Sequence, residues 1–259
     1  MIKSLKISFP DKSLVKNSYK IAVLTGSSGG IGCKIKDVLI DQNYLLFCFS
    51  TSEYSCIYSL NGERIVIPLD LNSIDINDDN AVRSAVLLIK QEFGYIDSLI
   101  NCAGIAYGSM LGMIKRNHLL ECIETNFVSH VMICQQFIRL LKNSTNPSIV
   151  NISSISAFRD DRGTLGYACS KAALNLSTRI MARELAFHNI RVNAVAPGVT
   201  DTEMLKLMDT KSINLQKEAA SNGRIALPLE IANLVIFLIS AKSLHLNGQI
   251  IKIDGGQLC

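Results

Sequence analysis

The chain has 259 residues, a length that one α/β domain can fill. Apolar residues make up 48% and charged residues 19%, which excludes global disorder and supplies a large core. The formal charge of +4 is small for this length and does not argue for a nucleic-acid binder, which needs a concentrated basic face.

Short apolar runs alternate with helical patterns. Residues 21–24 read as a strand and 31–40 as a helix. Residues 44–49 and 64–68 are further strands. Residues 80–93 carry apolar positions at 82, 85, 86, 88 and 89, a helical spacing. Strand 98–100 is followed by a long helix over 119–141. Strand 148–152, helix 167–186, strand 190–196, helix 229–239 and strand 249–253 complete the chain. This alternation predicts a doubly wound parallel sheet of about seven strands, with helices on both faces, in a single domain. The expected organisation is an N-terminal extension over 1–19 and one domain over 20–259. Residues 202–224 are polar and mixed, and read as a mobile helical insertion near the carboxyl edge of the sheet.

Eight cysteines include no CxxC pair and lie scattered among apolar neighbours. That pattern fits reduced thiols in a cytoplasmic core better than a zinc site or a disulfide framework. The four histidines are scattered, so no metal site is expected, and His118 and His130 read as helix-surface or packing residues. Residues 1–20 lack an apolar core of signal-peptide length. Five lysines and one acid leave an organelle presequence open, and the absence of arginine argues against it. No run approaches the ~18 apolar residues that span a bilayer.

The first strand runs into Thr25-Gly-Ser-Ser-Gly-Gly-Ile-Gly32 and then a helix. Gly26, Gly30 and Gly32 allow a tight turn and the approach of a pyrophosphate to the helix N-terminus, where free N–H groups favour an anion. The spacing differs from GxGxxG, and a glycine-rich turn alone can be only a turn. Tyr167 and Lys171 stand four apart on one helix and share a face. A nearby ammonium would lower the pKa of the phenol and make it a usable acid or base. The same spacing also occurs on solvated helix faces. Ser154 stands thirteen residues earlier, at a strand end, and could bind the same carbonyl oxygen. Asn126 lies inside a helix, where Asn is mildly unfavourable; the plain alternative is an exposed or locally bonded residue.

Together these residues resemble the short-chain dehydrogenases/reductases. Residues 25–32 are similar to the family's TGxxxGIG turn, and Asn101-Cys-Ala-Gly104 to its NNAG element, with Cys102 replacing the second Asn. Asn126, Ser154, Tyr167 and Lys171 match its tetrad in order and spacing. Pro197-Gly198 and Asp254-Gly-Gly256 match its later turns. Within the family the chain most resembles the 3-oxoacyl-[acyl-carrier-protein] reductases, through 123–126, 191–198, 230–233 and 248–254. Two features depart from that group. Tyr107-Gly108 stands where an Arg-Asp pair is usual, and Thr145 and His188 replace basic residues that dock the carrier protein.

The resemblance implies hydride transfer between a nicotinamide and a carbonyl, with a place in fatty-acid biosynthesis. Ser154 would bind the oxygen and Tyr167 donate the proton. Lys171 would hold the ribose and lower the pKa of Tyr167. Asn126 would hold a water that links Lys171 to solvent. Gly26, Ser28, Gly30, Ile31 and Gly32 would hold the phosphates; Asn101, Ala103 and Gly104, with Tyr167 and Lys171, would line the nicotinamide half. Pro197, Gly198, Val199, Thr200 and Thr202 would close over it, while Asp70 and Leu71 would hold the adenine. Ser50 and Thr51 end the second strand with no acid, which favours NADP(H) over NAD(H), although no Arg follows and Gly29 is not basic. The pocket should be lined by 106–110, 156–162 and 202–224. The substrate would be a 3-oxoacyl thioester, with a sugar, polyol or other secondary alcohol as the alternative. The charged run 159–162 is either a solvated loop or a contact to a polar substrate. A dinucleotide sensor without turnover would not need all four tetrad residues. The resemblance also implies a homotetramer, packed through the two long helices and the C-terminal strand region, although small residues such as Ala168, Ala172 and Ala173 would equally suit burial within one subunit; no nucleic-acid or membrane partner is expected.

Overall fold

The computed structural model describes residues 9, 10, 15, 18–51, 54–60, 63–68, 74–203, 205 and 210–258. Its strands are β1 (Lys20–Thr25), β2 (Tyr44–Phe49), β3 (Tyr54–Leu60), β4 (Glu63–Pro68), β5 (Ser98–Asn101), β6 (Ser148–Ile152), β7 (Arg191–Pro197) and β8 (Ile250–Ile253). They form one sheet in the order β4-β3-β2-β1-β5-β6-β7-β8. Every neighbouring pair is parallel except β2–β3 and β3–β4. The chain order reverses beside β1, so a crevice opens at the carboxyl ends of β1 and β5, where α/β sheets of this kind bind ligands.

The apolar runs become strands because both faces of the sheet are covered. Side chains alternate, so Ile21 and Val23 face one layer and Ala22 and Leu24 the other. The first layer holds α2 (Asp79–Glu92), α4 (Ser129–Leu141) and α5 (Leu165–Glu184), which bury Val82, Ile89, Phe137 and Met181. The second holds α1 (Gly30–Asp41) and α7 (Pro228–Ile239), which bury Ile35, Leu39, Val235 and Leu238. Asp78 caps α2 by accepting from the N–H groups of Asn80 and Ala81. Val15 is buried, and Phe9 packs edge-on against Phe93 at 5.4 Å, so part of the N-terminal stretch seals the first layer.

The structure departs from the sequence reading in two places. The sheet gains an eighth strand, β3, which the reading leaves unassigned. Cys56 and Tyr58 enter one layer and Ile57 the other, the alternation of a strand covered on both sides. The long helix expected over 119–141 begins earlier, as α3 (Arg116–Ile123), and is interrupted by one π turn (Glu124–Val128) before α4. The insertion at 202–224 contains α6 (Thr210–Ala219), tied to the chain end by Gln257 Nε2 donating to the Gln216 carbonyl at 2.9 Å. Among the described residues no helix is long and apolar enough to cross a membrane.

Candidate active site

β1 ends at Thr25 and the chain turns through Gly26 with φ +67°, the left-handed region that glycine tolerates. A Cβ on Gly26 would lie 2.6 Å from the Ala103 Cα, so β1 and the segment after β5 touch backbone to backbone. A Cβ on Gly32 would meet the Gly26 carbonyl at 2.1 Å, and one on Gly30 would meet the Thr202 side chain at 2.7 Å. Helix α1 starts after Gly29, which offers no side-chain cap. The N–H groups of its first turn are therefore left for a partner outside the helix, and among the described residues the buried Oγ of Ser27 has no hydrogen-bond partner. Ser28 is exposed next to them. These residues are where the sequence places a phosphate cradle.

The segment leaving β5 is pinned from two sides. Thr25 Oγ1 accepts from the N–H groups of Cys102 and Ala103 at 3.0 and 3.2 Å. From the other side, Asn126 Oδ1 accepts from Ile105 N–H at 2.8 Å and Asn126 Nδ2 donates to the Ile105 carbonyl at 2.8 Å. Asn126 Nδ2 also donates to Ser170 Oγ at 3.0 Å. The π turn aims Asn126, fully buried, at this segment. Gly104 must stay small, because a Cβ there would lie 3.1 Å from Asn126 Oδ1 and 3.3 Å from Lys171 Nζ. Asn101, expected at the cofactor, instead turns its side chain into the core and donates to Asn151 Oδ1 at 2.9 Å. His130, read from sequence as surface or packing, is fully buried and bonded to the Ala103 carbonyl at 2.9 Å. Nothing in the local sequence marks it, since the bond joins residues 27 apart.

Ser154 follows β6 and caps a short turn (Ile155–Phe158), accepting from Ser156 N–H at 3.1 Å. Its hydroxyl is hydrogen-bonded to the Tyr167 phenol. Lys171 is buried one turn beyond Tyr167, and its Nζ donates to the Ile152 carbonyl at 2.8 Å, 5.9 Å from the Tyr167 ring centroid. Burial pushes the Lys171 ammonium down to about 8. The lowered phenol expected from Lys171 is not what the ligand-free site shows. Burial holds Tyr167 above its ordinary value, and the Ser154 bond only partly opposes it. Desolvation of the buried phenol is the largest cause.

Beyond β7, Gly198 sits against Asp254, where a Cβ would lie 2.9 Å from the Asp254 Cα. Thr200 Oγ1 donates to the Gly198 carbonyl at 2.9 Å, and Val199 accepts from Ala226 N–H at 2.9 Å. Pro197 is buried at the end of β7, and Thr202 reaches back to Gly30 across the crevice. Ser50 is buried and Thr51 exposed at the end of β2. Asp70 and Leu71 lie outside the described residues. On the substrate side, Arg159 Nε pairs with Asp161 Oδ2 at 2.9 Å and Arg159 Nη1 donates to Gln216 Oε1 at 3.2 Å, so this part of the charged run is a latch to α6. Tyr107 stacks on His118 at 4.1 Å and bonds Glu121 at 2.7 Å. Among the described residues no cluster of His, Cys, Asp or Glu could hold a metal.

A family profile described as enoyl-(acyl carrier protein) reductase matches residues 58–257, most of the chain. The chain belongs to the short-chain dehydrogenase/reductase family. It is 32% identical over 239 residues to the 3-oxoacyl-[acyl-carrier-protein] reductase FabG of Thermotoga maritima, covering 92% of this chain and 97% of that protein. It is 33% identical over 244 residues to carbonyl reductase family member 4 of Danio rerio, again over 92% and 97%. Among solved structures, the aldohexose dehydrogenase of Thermoplasma acidophilum superposes with a TM-score of 0.81 at 26% identity, over 93% of this chain and 95% of that one. The RhlG/NADP complex of Pseudomonas aeruginosa gives 0.79 at 25%, over 92% and 96%. Short-chain dehydrogenases/reductases are oxidoreductases that bind a nicotinamide dinucleotide. The residues here fit that group: three glycines let the turn close against Ala103, Thr202 and the Gly26 carbonyl, and the turn leads into an uncapped helix N-terminus whose free N–H groups suit a pyrophosphate.

Proposed function

We propose that the chain reduces the ketone of a 3-oxoacyl thioester with NADP(H). The observation that carries the substrate class is the apolar rim on the loops that leave β5, β6 and β7. Met110, Leu111, Met113, Phe158 and Leu215 are exposed there. Such a mouth suits an alkyl chain. A sugar or polyol would need polar groups free to bind it, and Arg159, the first of the charged run, is engaged by Asp161 and Gln216. The relatives named 3-oxoacyl-[acyl-carrier-protein] reductases support the same reading. Because Thr145 and His188 stand where carrier-protein docking residues would be basic, the coenzyme A thioester is the substrate to test first.

Bound reduced nicotinamide supplies the hydride. The chain's own groups manage the charge that develops on the substrate oxygen. Ser154 donates a hydrogen bond to it and Tyr167 donates the proton. A phenol held above its ordinary pKa is protonated before the reaction, as an acid must be. Lys171 supplies positive charge below Tyr167 and holds the ribose. Asn126 has both amide hydrogens engaged by Ile105 and Ser170 and keeps one Oδ1 lone pair for the water that connects Lys171 to solvent. Gly26, Ser28 and the N–H groups of Gly30, Ile31 and Gly32 would hold the phosphates. Ala103, Gly104, Pro197, Gly198, Val199, Thr200 and Thr202 would hold the nicotinamide half. Ser50 and Thr51 accept a 2′-phosphate without acidic repulsion, which is the reason for preferring NADP(H) to NAD(H).

The deciding assay follows NADPH absorbance with acetoacetyl-CoA. Turnover by the parent protein supports the reading. A protein that binds NADPH but leaves acetoacetyl-CoA untouched would sink it, and a screen of sugars, polyols and secondary alcohols would follow.

A further inference from the structure

The extended segment 102–105 forms one wall of the crevice, with Cys102 packed on one core layer and Ala103 on the other. Its placement comes from five hydrogen bonds delivered by three side chains. Thr25 Oγ1 takes the N–H groups of Cys102 and Ala103; Asn126 takes both polar groups of Ile105. The fifth bond, to the Ala103 carbonyl, comes from His130 Nε2 at 2.9 Å. Asn126 and His130 are four residues apart across the π turn, and together they grip alternate residues of one extended stretch. Ala103 is also the residue on which Gly26 rests, with the Gly26 hydrogen facing its Cα. Any displacement of Ala103 therefore moves the floor of the glycine turn and the ceiling over Lys171 Nζ together.

We infer that His130 is a positioning residue for the nicotinamide dinucleotide, holding the Ala103 carbonyl so that segment 103–105 stays in register between the glycine turn and Lys171. This rests on the oxidoreductase reading above. The carbonyl only accepts, so Nε2 carries the proton and His130 is the neutral Nε2–H tautomer. Its Nδ1 is buried with no partner among the described residues, so the ring makes a single bond there. Burial and the nearby Lys171 push its pKa down to about 3, so the donor is constant across the working pH range. A charged donor in this place would compete with Lys171. An apolar residue would leave the Ala103 carbonyl unpaired inside the core.

The test uses full-length His130→Gln, His130→Asn and His130→Leu. The amide nitrogen of Gln falls near the position of Nε2, whereas that of Asn falls near Nδ1. The Kd for NADPH is read by fluorescence titration, with Tm alongside. Expected are a Kd raised about tenfold for Asn and Leu, and a value within about threefold of the parent for Gln. All three variants binding within twofold of the parent, or Gln as impaired as Asn, would overturn the inference. If the parent binds no dinucleotide, the failure lies with the oxidoreductase reading instead. A readout independent of variant folding is the ¹⁵N spectrum of the parent's imidazoles. A neutral Nε2–H ring persisting to about pH 5 supports the assignment; an Nδ1–H tautomer or a protonated ring sinks it.

Discussion

At the residue scale the site depends on two groups that burial moves in ways useful to a reductase. Tyr167 is held protonated, and Lys171 is brought down to about 8. Replacing Tyr167 by Phe removes the proton donor and little else. Turnover should fall below about 5% of the parent, while the Kd for NADPH stays within about twofold. Retained turnover in a coupled assay would show another donor. Lys171 also has a signature in the ligand-free protein. Its folded pKa lies below that of the unfolded chain, so between about pH 8 and 10.5 the unfolded state binds more protons and stability rises with pH. Buried thiols such as Cys102 and Cys134, held up to about 12, pull both proteins the other way, so the readout is the difference: denaturation of the parent and Lys171→Met across that window should show the stability of the parent relative to the variant rising with pH. Equal slopes would mean that Lys171 is not desolvated as the structure shows.

At the scale of elements, the glycines and the π turn set the distances. Gly26→Ala puts a methyl 2.6 Å from the Ala103 Cα at a backbone angle L residues avoid. A loss on the order of 1–3 kcal/mol is expected in chemical denaturation, with dinucleotide binding abolished. Gly104→Ala is a milder change, because the methyl meets only the ends of Asn126 and Lys171, at 3.1 and 3.3 Å. It should lower kcat about tenfold or more with Tm nearly unchanged. An equal fall in Tm would place Gly104 in the folding of the segment and not in its alignment. The π turn belongs to this scale too. Ser129 holds it by donating to the Glu124 carbonyl at 2.9 Å, and a plain α-helix over the same residues would turn Asn126 off its target.

At the scale of the molecule, apolar residues remain exposed along one edge of α3 and α5. Leu120 lies on α3, Leu165, Leu176 and Ile180 share a face of α5 at helical spacing, and Phe187 lies in the short turn that follows. This is the face by which the proposed homotetramer would form. Ile180→Arg should reduce the assembly in sedimentation without unfolding the chain, and a parent that sediments as a monomer would remove the proposal. The alternation of apolar runs and helical periods was enough to determine the doubly wound sheet, because strands buried on both faces must read as apolar runs. The glycine turn, Ser154, Tyr167 and Lys171 were singled out by the family resemblance, since residue type and short spacing alone leave each of them open to a plainer reading. The hairpin partner β3 was not, because its alternation is short and broken by Ser55 and Ser59. His130 and the inward turn of Asn101 were also hidden: each depends on a bond between residues 27 or 50 apart. The direction of the Tyr167 shift was misjudged from sequence for a related reason. Spacing shows that an ammonium is near, but only the packed structure shows how much water burial removes from both groups.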